Sequence, residues 1–211
     1  MEKIRNREEA GEKLAVQLAA YTEREDVLIL ALPRGGVPVA EPIARALKAP
    51  LEVFIVRKLG VPGHRELAMG AIASGGVRVM NTDVVRSLGI SEEQIKKVAE
   101  AEQLELARRE EQYRGERPPL ELSAKTVILV DDGVATGATM RVAIKALRKG
   151  GVHKLVIAVP VAPPDTCEIL SREADELVCP YRPSPFHAIG LWYEDFSQVS
   201  DEEVGRIMKE S

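Results

Sequence analysis

The sequence predicts an α/β fold, an open parallel sheet flanked by helices, and three observations carry the prediction. Four apolar runs, residues 27–32, 51–56, 127–130 and 155–161, are rich in Val, Ile and Leu, and short runs with little polar alternation mark strands buried on both faces. Stretches with helical spacing fall between them, giving the rhythm of strand–helix–strand units. Three of the runs end in charged or Gly-rich loops, at the carboxyl ends of strands, where open α/β sheets bind ligands. A chain of 211 residues with 45% hydrophobic content is enough for one such core plus a small cap, so residues 1–211 are read as a single domain.

The elements follow in order. Asn6 with Glu9 resembles an N-terminal capping pair for a helix carrying Ala10, Leu14 and Leu18. The strand 27–32 ends in Pro33-Arg34-Gly35-Gly36, and a helix follows over 37–47. The strand 51–56 ends in Arg57-Lys58, which puts two cations at a strand tip. Segments 68–72 and 77–80 can pair through the turn Ser74-Gly75-Gly76. Ser91 with Gln94 forms a capping box for a charged helix through about Tyr113, with Ile95, Val98, Leu104 and Leu106 as sparse apolar points, stopped by Pro118-Pro119. That helix, part of an insertion over about 82–118, either lies on the sheet as a solvated face or serves as a subunit contact or lid. Strand 127–130, a helix over 139–147 closed by Gly150-Gly151, and strand 155–161 complete the alternation.

The most informative stretch is Val127 to Thr139, where a strand runs into Asp131-Asp132-Gly133-Val134-Ala135-Thr136-Gly137-Ala138-Thr139. Small residues with hydroxyl donors ahead of a helix can wrap backbone N–H groups around a phosphate, and the helix start adds about 0.3–1 kcal/mol for an anion at an exposed end. The two carboxylates would not bind phosphate themselves, but they can accept hydrogen bonds from vicinal ribose hydroxyls. Arg34 suits a diphosphate through paired donors, and Gly35-Gly36 permits close backbone approach.

Together these segments resemble the 5-phosphoribosyl 1-diphosphate (PRPP) motif and diphosphate loop of type I phosphoribosyltransferases, across a core of about residues 25–165. The resemblance implies strand order 3-2-1-4-5 with a small hood and an inserted long helix. It implies Asp131 and Asp132 as ribose-hydroxyl acceptors, Ala135, Thr136, Gly137, Ala138 and Thr139 as the 5-phosphate loop, and Arg34, Gly35 and Gly36 at the diphosphate, with Arg57 and Lys58 able to clamp it from the other side. The implied reaction moves 5-phosphoribosyl from PRPP to a nitrogenous acceptor with release of pyrophosphate, assisted by Mg²⁺ held through PRPP oxygens and water rather than by direct protein ligands. The alternative is a non-catalytic PRPP-binding regulatory protein. A phosphoacceptor Asp pair of the receiver type is disfavoured by the Arg-Gly-Gly loop.

A departure narrows the acceptor. The 6-oxopurine enzymes of the family usually carry an acid immediately before the loop threonine, where this chain has Ala135. Acid–base help would then come from the Gly- and Pro-punctuated loop 59–66, with Glu66 preferred over His64, unless that loop is simply solvated. Residues 179–196 hold five of the eight aromatic residues and form the candidate hood, in which Tyr181, Phe186, Trp192 and Tyr193 either face an acceptor ring or pack the C-terminal helix onto the core.

The net charge of −4 and the lack of a Lys/Arg block give no nucleic-acid footprint. Cys167 and Cys179 lack zinc-ligand spacing and are expected as free thiols. No secretory signal or bilayer-length apolar run is visible, so a cytoplasmic location is expected. PRPP and a small acceptor are the expected partners, and a homodimer is allowed.

Overall fold

The computed structural model describes residues 3–211, and the side chains of all of them except Arg65 and Glu66. Helix α1 (Arg7–Gln17) begins at Asn6, whose side chain accepts from the Glu9 N–H. There follow β1 (Val27–Ala31), α2 (Gly36–Leu47), β2 (Leu51–Val53), β3 (Val56–Val61), β4 (His64–Ala73), β5 (Val77–Met80), α3 (Thr82–Ser87) and α4 (Glu92–Arg114). The second half contains β6 (Thr126–Val130), α5 (Ala138–Lys149), β7 (Lys154–Ala158), α6 (Pro164–Glu173), β8 (Glu176–Val178) and α7 (Asp201–Glu210).

Five parallel strands form the central sheet in the order β2-β1-β6-β7-β8. Every residue of β1 and β6 is buried, as expected of strands covered on both faces. Side-chain alternation sorts them between two cores. Ile29, Ile128 and Val156 meet α1, α2, α4 and α7, whereas Leu30, Leu129 and Ile157 meet α5 and α6. Chain reversal falls between β1 and β6: the path from β1 goes outward to β2, then returns across β1 to β6 and continues the other way. That is a topological switch point, where the loops of adjacent strands diverge and leave a crevice. The register pairs Ala31 with Val130, and the Leu32 N–H donates to the Val130 carbonyl over 2.9 Å, so both loops leave the sheet side by side.

Numbered along the chain, the five parallel strands run 2-1-3-4-5 rather than the 3-2-1-4-5 implied by resemblance. The expected strand over 51–56 stops at Val53, and the chain leaves the sheet through buried Phe54 and Ile55. Ile55 donates to the Ser74 hydroxyl at 2.9 Å and accepts from the Ser74 N–H at 2.9 Å. This two-sided clasp starts a separate antiparallel sheet, β3-β4-β5, including the pairing expected of 68–72 with 77–80. Helix α4 carries the expected reciprocal Ser91–Gln94 capping box. It buries Ile95, Leu106 and Tyr113 while Leu104 stays exposed, so not every expected apolar point faces inward. Arg114 pairs with Glu52 at 2.9 Å, and Arg57 with Glu102 at 2.6 Å; the helix is thereby anchored to β2 and β3.

Among the described residues no helix is long and apolar enough to cross a membrane. Cys167 and Cys179 are both free and buried.

Candidate active site

The β1 and β6 loops build the site at the switch point. Gly35 lies against the Asp132 carboxylate so closely that a Cβ there would sit 2.0 Å from Oδ2, and one on Gly36 would sit 2.7 Å from the Val130 carbonyl. Only glycine gives this approach, which explains physically why the Arg-Gly-Gly sequence follows β1. Asp131 uses Oδ1 to accept from the Asp132 N–H at 2.9 Å. Burial first, and the neighbouring Asp132 charge second, push the Asp131 carboxyl well above the usual carboxylate range. Burial also raises Asp132, against the opposing charge of Arg7.

Arg7 was not singled out by the sequence reading, and it is central here. Its Nε and Nη2 both lie 2.8 Å from Asp132 Oδ2, while Nη1 donates to the Ser197 carbonyl at 2.7 Å. The guanidinium lies 4.0 Å from the centroid of the Phe196 ring. What brings it there is the α1–α2 crossing: a Cβ on Gly11 would stand 2.2 Å from the Val39 carbonyl. Gly11 lets the two helices approach, and Arg7, one turn earlier on α1, reaches over the end of β6.

The segment after β8 closes the crevice. Ile4 pairs with Tyr193, and Glu194 and Asp195 donate to the Ile4 and Arg5 carbonyls. Tyr193 is buried, and its hydroxyl donates to the Asp132 carbonyl over 2.6 Å. Burial and the Asp132 charge hold that phenol far above its ordinary value, so it remains a donor. Tyr193 therefore packs and fixes the acid loop. Its ring centroid is 4.9 Å from that of Phe196.

The resulting cleft, about 480 Å³, is lined by Arg7, Arg34, Gly35, Asp132, Ile189 and Phe196 together with Gln198 and Val199. A slightly larger groove of about 520 Å³ beside it, between α1, α2 and α7, shares Arg7 and Val199. It includes neither strand-end loop, whereas the smaller cleft is lined by Arg34 and Gly35 of one and Asp132 of the other. Arg34 reaches Asp201 at 3.8 Å, and Asp201 also accepts from the Tyr113 hydroxyl. Arg57 and Lys58 are not among the residues lining the cleft. They sit within β3 rather than at a core-strand tip, because the chain leaves the sheet three residues earlier. Tyr181, Phe186 and Trp192 are half-buried and pack against the core, again away from the cleft lining. Phe196 and Ile189 take the positions facing it. The side chain of Glu66 lies outside the described residues; His64 is exposed at the start of β4.

The phosphate-type loop occupies the turn into α5. Ala135, Thr136, Ala138 and Thr139 are exposed, and Gly137 caps the helix with φ 77°. The first helical turn leaves N–H groups without intrahelical acceptors. Thr166, at the start of α6, donates from its hydroxyl to the Ala135 carbonyl over 2.7 Å. This brace from a separate helix had no signature in the sequence.

A crevice at the switch point of a doubly wound sheet, with an acid pair, an Arg-Gly-Gly turn and a helix start beside it, places the chain in the class of doubly wound α/β proteins whose ligand crevice lies at the strand ends. A family model for the phosphoribosyl transferase domain matches residues 1–180, and the chain belongs to the type I phosphoribosyltransferase family. Rv0571c of Mycobacterium tuberculosis, whose name carries phosphoribosyl transferase as a provisional assignment, is 45% identical over 199 residues, covering 94% of this chain. The chain spans 45% of that relative's length. Among solved structures, TT1426 from Thermus thermophilus matches with a TM-score of 0.86 and 40% identity over 99% of this chain and 98% of that one. AQ2163 from Aquifex aeolicus, at 12% identity and a TM-score of 0.52 over 87% of this chain and 78% of that one, shares the fold.

Proposed function

We propose that this phosphoribosyltransferase moves 5-phosphoribosyl from PRPP to a ring nitrogen of a small acceptor, releasing pyrophosphate. The supporting observation is the convergence of two loops: the diphosphate-type turn at Gly35 rests on Asp132, at the end of the strand that continues into the phosphate-type loop. In this reading the N–H groups around Thr136 to Thr139 hold the 5-phosphate, with Thr166 keeping the loop in shape. Asp131 and Asp132 accept from the ribose hydroxyls. Arg34 and the Gly35-Gly36 turn receive the diphosphate, which requires Arg34 to leave its long contact with Asp201.

Attack at the anomeric carbon forms the C–N bond as the C–O bond to diphosphate breaks, and positive charge develops on the sugar ring. The protein's contribution is positioning and electrostatics. Among the described residues no three His, Cys, Asp or Glu side chains group to hold a metal. The oxygen donors present, Asp131 and Asp132, are of a type compatible with a hard cation that keeps its water and phosphate ligands. Mg²⁺ bound through the PRPP oxygens would neutralise charge on the departing diphosphate. Ala135 leaves no acid ahead of the loop threonine, which favours an acceptor other than a 6-oxopurine.

The test is pyrophosphate release from PRPP and Mg²⁺ across a panel of purine, pyrimidine and pyridine acceptors. Release with one acceptor, lost in Asp132→Asn, supports the transfer. Silence across the panel with intact PRPP binding would replace it with a regulatory role.

A further inference from the structure

Of the two acids, only Asp132 has its carboxylate anchored by a side chain from beyond its own loop. Asp131 spends Oδ1 on the adjacent peptide N–H, and its carboxyl also meets that of Asp132. Asp132 is gripped through its carboxylate by Arg7 of α1 and through its carbonyl by Tyr193. The grip is asymmetric. Two of the three guanidinium nitrogens, Nε and Nη2, fall on Oδ2 at 2.8 Å each, and the same oxygen is the nearest to a Cβ built on Gly35. No Arg7 hydrogen bond falls on Oδ1. Arg7 itself is held by three contacts, with Asp132, with the Ser197 carbonyl at 2.7 Å and with the Phe196 face, and 11% of its side chain is exposed.

We infer that Arg7 is a positioning residue for ribose recognition: it locks Asp132 through Oδ2 so that Oδ1 stands ready to accept a sugar hydroxyl. The inference rests on the PRPP reading above and assigns Arg7 no contact with the sugar. Without Arg7 only the Gly35 turn and the Asp131 carboxyl would bound the Asp132 terminal torsion, and a ligand would bear more of the cost of ordering it. A buried guanidinium held by the hood has already ordered it. The same contacts make ribose binding sensitive to the seating of the hood segment at Phe196 and Ser197.

Hydroxyl discrimination separates this role from a scaffold role. Ribose 5-phosphate, 2-deoxyribose 5-phosphate and 3-deoxyribose 5-phosphate serve as probes, with affinities read by calorimetry on the full chain and folding checked by circular dichroism. The wild type is expected to bind ribose 5-phosphate about tenfold or more tighter than at least one deoxy probe, the usual worth of a hydrogen bond to a charged group. Arg7→Gln should lower ribose 5-phosphate affinity by about tenfold and leave the discriminated deoxy probe within about twofold, so discrimination collapses. Arg7→Lys, which keeps the charge but not the fork, should retain part of it and provides the comparison if the Gln variant does not fold. Equal weakening of all three probes, or undiminished discrimination in either folded variant, overturns the inference while the PRPP reading stands. A wild type that binds the deoxy probes as well as ribose 5-phosphate removes the hydroxyl contact, and the inference with it. A wild type that binds none of them sinks the PRPP reading as well.

Discussion

Gly35→Ala sets two physical effects against each other. The backbone at Gly35 is right-handed helical, φ −60° and ψ −33°, so alanine is conformationally welcome there and would stabilise by about 0.4–1 kcal/mol through the unfolded chain. Sterically the new methyl carbon would stand 2.0 Å from Asp132 Oδ2 and 2.5 Å from its Cγ. Bringing the oxygen out to ordinary contact, from 2.0 to 3.4 Å, needs a shift of about 1.4 Å. Arg7 holds that oxygen at 2.8 Å through two donors and is itself pinned, so the carboxylate cannot retreat without stretching a buried ion pair. Overpacking of this kind costs about 1–3 kcal/mol, approaching the 3–5 kcal/mol of a broken buried pair if the contact is lost. The steric term exceeds the conformational gain. For a chain of this size each kcal/mol moves Tm by about 2–4 °C, so a net loss of about 1–2 kcal/mol lowers Tm by about 2–8 °C. Differential scanning calorimetry reads the sign directly, and calorimetric titration with PRPP and Mg²⁺ should show weakened binding. A Gly35→Ala protein that melts at or above the wild-type temperature with PRPP affinity intact would refute the close Gly35–Asp132 packing.

Three further outcomes are expected. Gly205→Ala, on a helical position of α7 with open space around its would-be Cβ, should raise stability by about 0.5–1 kcal/mol in denaturant titration, and serves as the clash-free counterpart to Gly35→Ala. Thr166→Val removes the hydroxyl brace on Ala135; a stability loss of about 0.5–1.5 kcal/mol should accompany weaker ribose 5-phosphate binding, and unchanged binding would deny the brace any role in shaping the loop. Asp131 is raised by burial, so its folded-state stabilisation is complete below the unfolded carboxylate value and is lost as pH rises through the higher folded value. Asp131→Asn should therefore raise Tm at neutral pH, with the gain vanishing below about pH 4. Equal gain at both pH values would contradict the ionisation argument.

Much of this site was legible as sequence because its chemistry is local. A strand, two acids and a Thr-Gly turn into a helix are contiguous in Val127 to Thr139, and the same holds for the Arg-Gly-Gly turn after β1. The physical signals were β-branched runs for buried strands and glycines where the backbone of one loop packs closely against the next. Helix starts were equally local: the Asn6 and Ser91 side chains cap the N–H groups three residues on. Strand 51–56 misled because Phe54 and Ile55 are apolar for a different reason: they are buried where the chain turns out of the sheet, and an apolar run cannot distinguish continuing a strand from leaving it.

Arg7 and Thr166 were invisible for a related reason. A charged residue in the first turn of a helix reads as solvated, and the sequence carries no mark that its partner is 125 positions away. The hood aromatics were found as a group, yet which of them faces the cleft depends on the path between β8 and α7: Tyr193 turns inward to Asp132 while Phe196 carries Arg7. The sequence by itself determined the layered α/β plan and the two loops at its strand ends, since both follow from short-range periodicity and backbone stereochemistry. Only the tertiary structure decided the sheet order and the Arg7 clamp across the N-terminal helix and the hood, because each depends on which distant surfaces exclude water from one another.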